Sequence, residues 1–146
     1  MAIIKIFLLL MFLQKDIKRN AHFTTTMSEE RPVIGLMEDV MLVGPNGQRT
    51  VSARIDTGAH TSSVDVKLAA ELNLGPIIET KNVRSASGVG LRPLIRAKIS
   101  MRGKTLESLF TIANRDHMKY SVLIGRNILR EGGFLIDPTV GDTGDE

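Results

Sequence analysis

Asp56, Thr57 and Gly58 close the run "VSARIDTG", in which Val51, Ala53 and Ile55 alternate with polar residues as on one face of a strand. A carboxylate at the end of a buried strand is costly unless it is paired or does chemistry. Gly58 permits a tight turn that lifts Asp56 out of the strand, and the Thr57 hydroxyl can lock that turn. By itself the triplet also reads as an ordinary structural turn. A second segment, "VLIGRN" at 122–127, bears on the choice. Its apolar residues make a short strand buried on both sides. Gly125 lets another backbone pass closely, and Arg126 and Asn127 can hydrogen-bond back to a neighbouring loop.

The elements around these segments are mostly short strands. "EDVMLV" and "RTVSARID" flank the turn residues "GPNG" and predict a hairpin. Val64, Leu68 and Leu72 recur at helical spacing with Ala69 beside them, until Gly75 and Pro76 stop the run. "VRSASGVGLRPL" carries Gly88 and Gly90 near its middle, and "LIRAKIS" with "KTLESLFTI" predicts a second hairpin around Arg102 and Gly103. "YSVLIG" reads as a strand, "RNILREGG" as a helical turn and "FLIDP" as a last strand. The inventory is mainly β with one helix after the Asp56 loop, and it fits a small closed or sandwich-like β fold.

"ARIDTGAHTSSV", followed at a distance by "SVLIGRNIL", resembles the retropepsin-type aspartic proteases, the single-lobed relatives of pepsin. That family pairs a D-T-G loop with a hydrophobic-hydrophobic-Gly-Arg-Asn segment. The resemblance covers about residues 33–137. It is narrower toward a microbial group described as ATP-dependent zinc proteases and linked to ligases that add glutamate tails to ribosomal protein. It implies a closed β-barrel lobe with Asp56 as catalytic residue, Thr57 and Gly58 shaping its loop, and Gly125, Arg126 and Asn127 as scaffold. Ser87, Gly88, Val89 and Gly90, in "ASGVG", fall where the family has its flap. Aspartic proteolysis needs two carboxyls sharing one proton, one polarising a water and the other donating to the substrate carbonyl. The chain offers one convincing aspartate, so the resemblance implies a homodimer with one Asp56 from each copy, the two titrating as a pair. No metal or organic cofactor is required. The implied substrate is a peptide or protein, with an acidic, glutamate-rich tail as the specific expectation. A non-catalytic peptide-binding module, or a regulatory partner of a glutamate ligase with the same fold, is the alternative.

His60 departs from the pattern. Retroviral relatives carry an acidic residue two positions after the Gly, able to pair with the Arg of G-R-N. Arg126 here needs another acceptor, with Asp65, Asp137 or a backbone carbonyl as candidates. His60, Arg84 and Arg92 are candidate substrate contacts, and Arg54 could line the same cleft; a solvated strand face is the plainer role for the arginines. A second triplet, Asp142-Thr143-Gly144, has no apolar strand leading into it and reads as part of a disordered tail, 139–146.

Composition removes other classes. The 146 residues suit one domain, expected over 33–138 after a leader and linker at 1–32. There is no cysteine, hence no disulfide, thiolate nucleophile or Cys-based metal site. Aromatic residues make up only 4%, too few for platforms that stack single-stranded nucleic acid. Residues 1–26 hold four of the 19 basic residues and one of the 16 acidic ones, leaving 15 of each, so the net charge of +3 belongs to the leader and does not point to nucleic acid. Neither H-E-x-x-H nor G-x-x-x-x-G-K-[ST] occurs, so zinc and ATP find no motif. "AIIKIFLLLMFL" is short for a membrane span and weak as a signal peptide. The expectation is a cytoplasmic protein without firm membrane association and with residues 1–26 a mis-assigned start, or a secreted or membrane-anchored one if they are a real leader.

Overall fold

A computed structural model describes residues 3, 5, 6, 31–86 and 88–141 of the chain. The expectations for the rest of the leader, for Ser87 and for Asp142-Thr143-Gly144 lie outside the described residues. The chain divides into two compact units, 1–32 and 33–146. In the first, Ile3, Lys5 and Ile6 are helical and exposed. Among the described residues no helix is long and apolar enough to cross a membrane.

The second unit is mainly β. Its strands are β1 (Val33–Ile34), β2 (Met37–Gly44), β3 (Gly47–Ile55), β4 (Ser62–Asp65), β5 (Ile77–Ser85), β6 (Gly88–Met101), β7 (Lys104–Ala113), β8 (Val122–Ile124) and β9 (Leu135–Ile136). Two short helices, α1 (Val66–Leu72) and α2 (Arg126–Glu131), complete it. The large sheet runs β2-β3-β8-β4-β7-β6-β5, and β2 also pairs with β6. That extra pairing, with Leu42 opposite Ile99, closes six strands into a barrel. β5 continues beyond the closure and leaves with the first half of β6 as a long hairpin arm. β1 and β9 form a separate parallel pair. The expected hairpins are present: β2 and β3 meet through Gly44 and Gly47, and β6 and β7 through Met101 and Lys104.

Alternation along the strands fills the barrel. Val40, Leu42, Ala53, Ile95, Ile99, Phe110, Val122 and Ile124 are each essentially inaccessible to solvent. Burying such side chains supplies about 1.5–3 kcal/mol each, which is what holds so short a barrel closed.

The helix differs from its periodicity in one respect. Val64 belongs to β4, fully buried between β7 and β8, and α1 begins only at Val66. Asp65 is the reason: its backbone is extended and its carboxylate accepts the Lys67 N–H at 3.0 Å, capping the helix. Asn73, in the left-handed conformation, ends it.

Phe110 is the largest fully buried side chain. Phe110→Ala is expected to cost about 3–5 kcal/mol, read as a lower midpoint in chemical denaturation with the slope unchanged.

Candidate active site

Asp56 follows β3 directly, and its backbone N–H donates to the Ile124 carbonyl at 2.9 Å, extending the parallel β3–β8 pairing into the loop. The loop then turns back on itself. The Gly58 N–H donates to Asp56 Oδ1 at 2.9 Å, and the Ala59 N–H to the Asp56 carbonyl at 3.3 Å. This Asp56–Gly58 bond closes the turn. The exposed Thr57 hydroxyl, expected to do so, makes no hydrogen bond among the described residues. Gly58 does not adopt a positive φ; a Cβ there would lie 3.1 Å from Asp56 Oδ1, a tight contact that would push the carboxylate aside by a few tenths of an ångström.

The two sequence segments come together around Gly125. A Cβ on Gly125 would lie 2.9 Å from the Ala59 carbonyl oxygen and equally near Thr61 backbone. The Arg126 N–H donates to the Ala59 carbonyl at 2.8 Å and the Asn127 N–H to the His60 carbonyl at 3.3 Å. The Asn127 side chain works in both directions. Its Oδ1 accepts from the Ser62 N–H and hydroxyl at 2.9 and 2.8 Å, while its Nδ2 donates to Ser108 Oγ and the Leu109 carbonyl at 3.2 and 2.8 Å. Ser62 Oγ in turn accepts the Gly125 N–H at 2.9 Å. One amide therefore ties the Asp56 loop, β4, β7 and the start of α2 into a single unit.

Arg126 behaves differently from its expected partnership. Asp65 uses its carboxylate on the Lys67 and Arg115 N–H groups, and Asp137 uses its own on Thr139. Arg126 takes none of the three suggested acceptors for its side chain, and its Nε is buried without a hydrogen-bond partner among the described residues.

Asp56 lines a cleft of about 860 Å³ between the loop and the hairpin arm. It is the one carboxylate among the described lining residues, against six cations: Arg54, Lys81, Arg84, Arg92, Arg115 and Lys119. His60 also lines the cleft, with Nδ1 3.3 Å from Thr61 Oγ1. The hairpin arm contributes its shaft, Lys81 to Ser85 and Arg92, whereas Gly88, Val89 and Gly90 sit at its exposed outer end. Lys81 Nζ donates to Thr61 Oγ1 at 3.1 Å, fastening the arm to the loop.

Lys81, Arg115 and Lys119 escaped sequence reasoning. Arg115 sits in a polar loop, "ANRDHMKY", with no spacing that marks it. It is nonetheless buried, with its N–H on Asp65 Oδ1 at 2.7 Å and its Nε on the Tyr120 carbonyl at 2.9 Å. Burial holds its guanidinium below the ordinary arginine range and Arg92 adds to that. Asp65 and Asp56 pull it back up, and Arg54 again opposes them.

Comparison with known proteins places this geometry. Residues 65–143 match a family described as "RimB-like: Retropepsin-like aspartic endopeptidase RimB". That span includes the hairpin arm and Gly125-Arg126-Asn127 but begins after Asp56. Two curated relatives from Shewanella pealeana and Shewanella halifaxensis, each named "Probable alpha-L-glutamate ligase", are 28% and 29% identical. The alignments cover 82% and 77% of this chain but 32% and 30% of theirs, so the chain spans about a third of their length. The crystal structure of a Legionella pneumophila protein of unknown function shares the fold with a TM-score of 0.56 and 22% identity, over 77% of this chain and 97% of that one. EIAV protease, solved with the inhibitor HBY-793, does so with a TM-score of 0.57 and 20% identity, over 75% and 94%.

Gly125→Ala should force the Asp56 loop off β8, and Asn127→Ala should leave Ser62 and Ser108 groups unpaired. A loss of about 2–4 kcal/mol is expected for the second, measured by thermal and urea unfolding. A loss below 0.5 kcal/mol would remove Asn127 from its place as the tie.

Proposed function

Because this chain belongs to the RimB-like family of retropepsin-like aspartic endopeptidases, we propose that it hydrolyses peptide bonds with a water activated by two Asp56 carboxyls, one from each copy of a homodimer. The observation that carries this is the placement of Asp56: at the end of a barrel strand, facing a cleft, in a loop braced by Gly125, Arg126 and Asn127. No second carboxylate lines the cleft among the described residues, and a lone carboxylate cannot be base and acid in the same step.

In the proposed reaction the two carboxyls share one proton. The ionised one takes a proton from water as its oxygen attacks the scissile carbonyl, and the protonated one gives its proton to the carbonyl oxygen. The tetrahedral intermediate collapses by breaking the C–N bond, with a proton delivered to the leaving nitrogen. The Gly58 N–H on Asp56 Oδ1 holds that carboxylate oxygen in place. Thr57 and His60 flank this centre, and the hairpin arm serves as the flap that excludes water.

For substrate we propose a peptide rich in acidic side chains. Six cations around one carboxylate repel one another unless an anion joins them. Lys81 and Arg92 stand directly opposite on β5 and β6, a like-charge pairing that destabilises a sheet. The names of the Shewanella relatives point to glutamate as the acidic residue. Their threefold greater length favours a second reading, in which this fold acts as a peptide-gripping module beside a glutamate ligase.

Asp56→Asn should lower kcat/KM on a glutamate-tailed peptide at least about a thousandfold. Adding excess Asp56→Asn protein to wild type should suppress the wild-type activity, because mixed dimers carry one competent carboxyl. Undiminished activity in that mixture, from a protein that sediments as a monomer, would sink the shared dyad. Equal binding by wild type and variant without any cleavage would favour the module.

A further inference from the structure

We infer that Arg115, with Arg92 across the cleft, is the subsite that holds the side-chain carboxylate of the substrate residue flanking the scissile bond, and so is a specificity residue of the active site proposed above. This rests on the peptidase reading, which it deepens by naming the groups that select the substrate.

Three observations converge on Arg115. It is 8% exposed and still lines the cleft, so its place is the floor and not the rim. A guanidinium on a rim keeps its hydration and gains little from an anion, whereas one in the floor has already lost its water. Second, it is fixed before substrate arrives. Its backbone N–H is held by Asp65 Oδ1 and its Nε by the Tyr120 carbonyl. The terminal nitrogens make no hydrogen bond to a described residue, and a guanidinium so oriented suits a planar carboxylate. Third, its charge environment is unbalanced. Arg92 and Arg54 oppose its charge, while Asp65 and Asp56 favour it. Asp65 is occupied by two backbone N–H groups, and Asp56 shares a proton in the proposed reaction. An incoming carboxylate supplies the missing negative charge.

The neighbours of Arg115 fit the same role. Arg92 and Arg54 make no salt bridge or side-chain hydrogen bond to a described residue, and the ion pairs Arg49–Glu71, Lys67–Asp116 and Arg102–Glu38 involve no residue that lines the cleft. Arg115 and Asp56 line the same cleft, so the carboxylate it binds belongs to a residue close to the cleaved bond and not to a remote part of the chain.

The test compares two peptides of equal length, one with glutamates flanking the cleaved bond and one with glutamines there. Wild type, Arg115→Gln, Arg115→Lys and Arg92→Gln are assayed on both as dimeric full chains, with melting curves to show that each is folded. Wild type should prefer the glutamate peptide, and Arg115→Gln should reduce that preference about 30-fold, the loss of a charge-assisted hydrogen bond. Arg115→Lys should recover part of it, because it restores the charge without the fork. Arg92→Gln should move the preference in the same direction by a smaller factor, and it carries the test if Arg115→Gln does not fold. A second arm measures binding of the glutamate peptide to Asp56→Asn protein by fluorescence anisotropy, with and without Arg115→Gln. The second change should weaken binding about 30-fold. If wild type cleaves neither peptide, the peptidase reading fails while the binding arm still decides the subsite. Equal loss on both peptides in every arginine variant, or unchanged affinity in the binding arm, overturns the inference.

Discussion

The hydrogen-bond knot around the Asn127 amide is the constraint on which the rest of the architecture depends. Its Oδ1 holds the Ser62 N–H and hydroxyl, its Nδ2 holds Ser108 and Leu109, and Ser62 passes the chain of bonds on to Gly125. These groups lie in or beside the barrel wall, where an unpaired donor or acceptor costs about 1–3 kcal/mol. Each bond therefore both positions a strand and removes a penalty. The loop bearing Asp56 hangs from this knot through the Ala59 and His60 carbonyls. It can be rigid although it carries little apolar contact of its own. Gly125 makes the arrangement possible, because any side chain there would stand where the loop backbone passes.

Closure of the barrel and shape of the cleft follow from one another. The β2–β6 pairing closes the wall at Lys98–Ser100 near the end of β6, and β7 pairs with β6 only from Leu94 onward, so the first part of β6 and the β5 strand beside it are left to project. The projecting arm faces the Asp56 loop and is fastened to it by Lys81. Closure thus creates the arm, and the arm creates the cleft. The core supplies stability where strands are shared by the wall, and the cationic side chains gather where they are not. Such a concentration of like charge works against the fold locally and is a common mark of a functional surface.

Parts of this were legible in the strand patterns. Alternation in "VSARID" and "LIRAKIS", and turn residues at Gly44–Gly47 and Arg102–Gly103, identify two hairpins that the structure contains. β4 was not legible. "SSVD" is three-quarters polar, yet all four residues are buried, because Ser62 and Asp65 bury their polar atoms in hydrogen bonds rather than in water. The spacing of Val64 from Leu68 is helical, and only the pairing of β4 with β7 and β8 overrides it. The surroundings of Arg126 are also beyond local reasoning, because the Asp65 carboxylate is taken by the N–H groups of Lys67 and of Arg115, 50 residues away.

What the sequence determined by itself was the candidate reactive element and its support: an acidic residue ending an apolar strand, a Gly close by, and a distant Gly-Arg-Asn after a second apolar strand. Those features are local, since strand alternation and backbone freedom depend on a few neighbouring residues. Arg54, Arg84 and Arg92 are cleft candidates from the sequence, but only the tertiary structure decided that they line one cleft with Asp56 and that Lys81, Arg115 and Lys119 join them. Arg115 and Lys119 come from the loop before β8, Lys81 and Arg92 from opposite strands of the arm, and Arg54 from β3. Nothing in their spacing brings them together. Barrel closure does so, because charge adds over distances in space and is indifferent to distance along the chain.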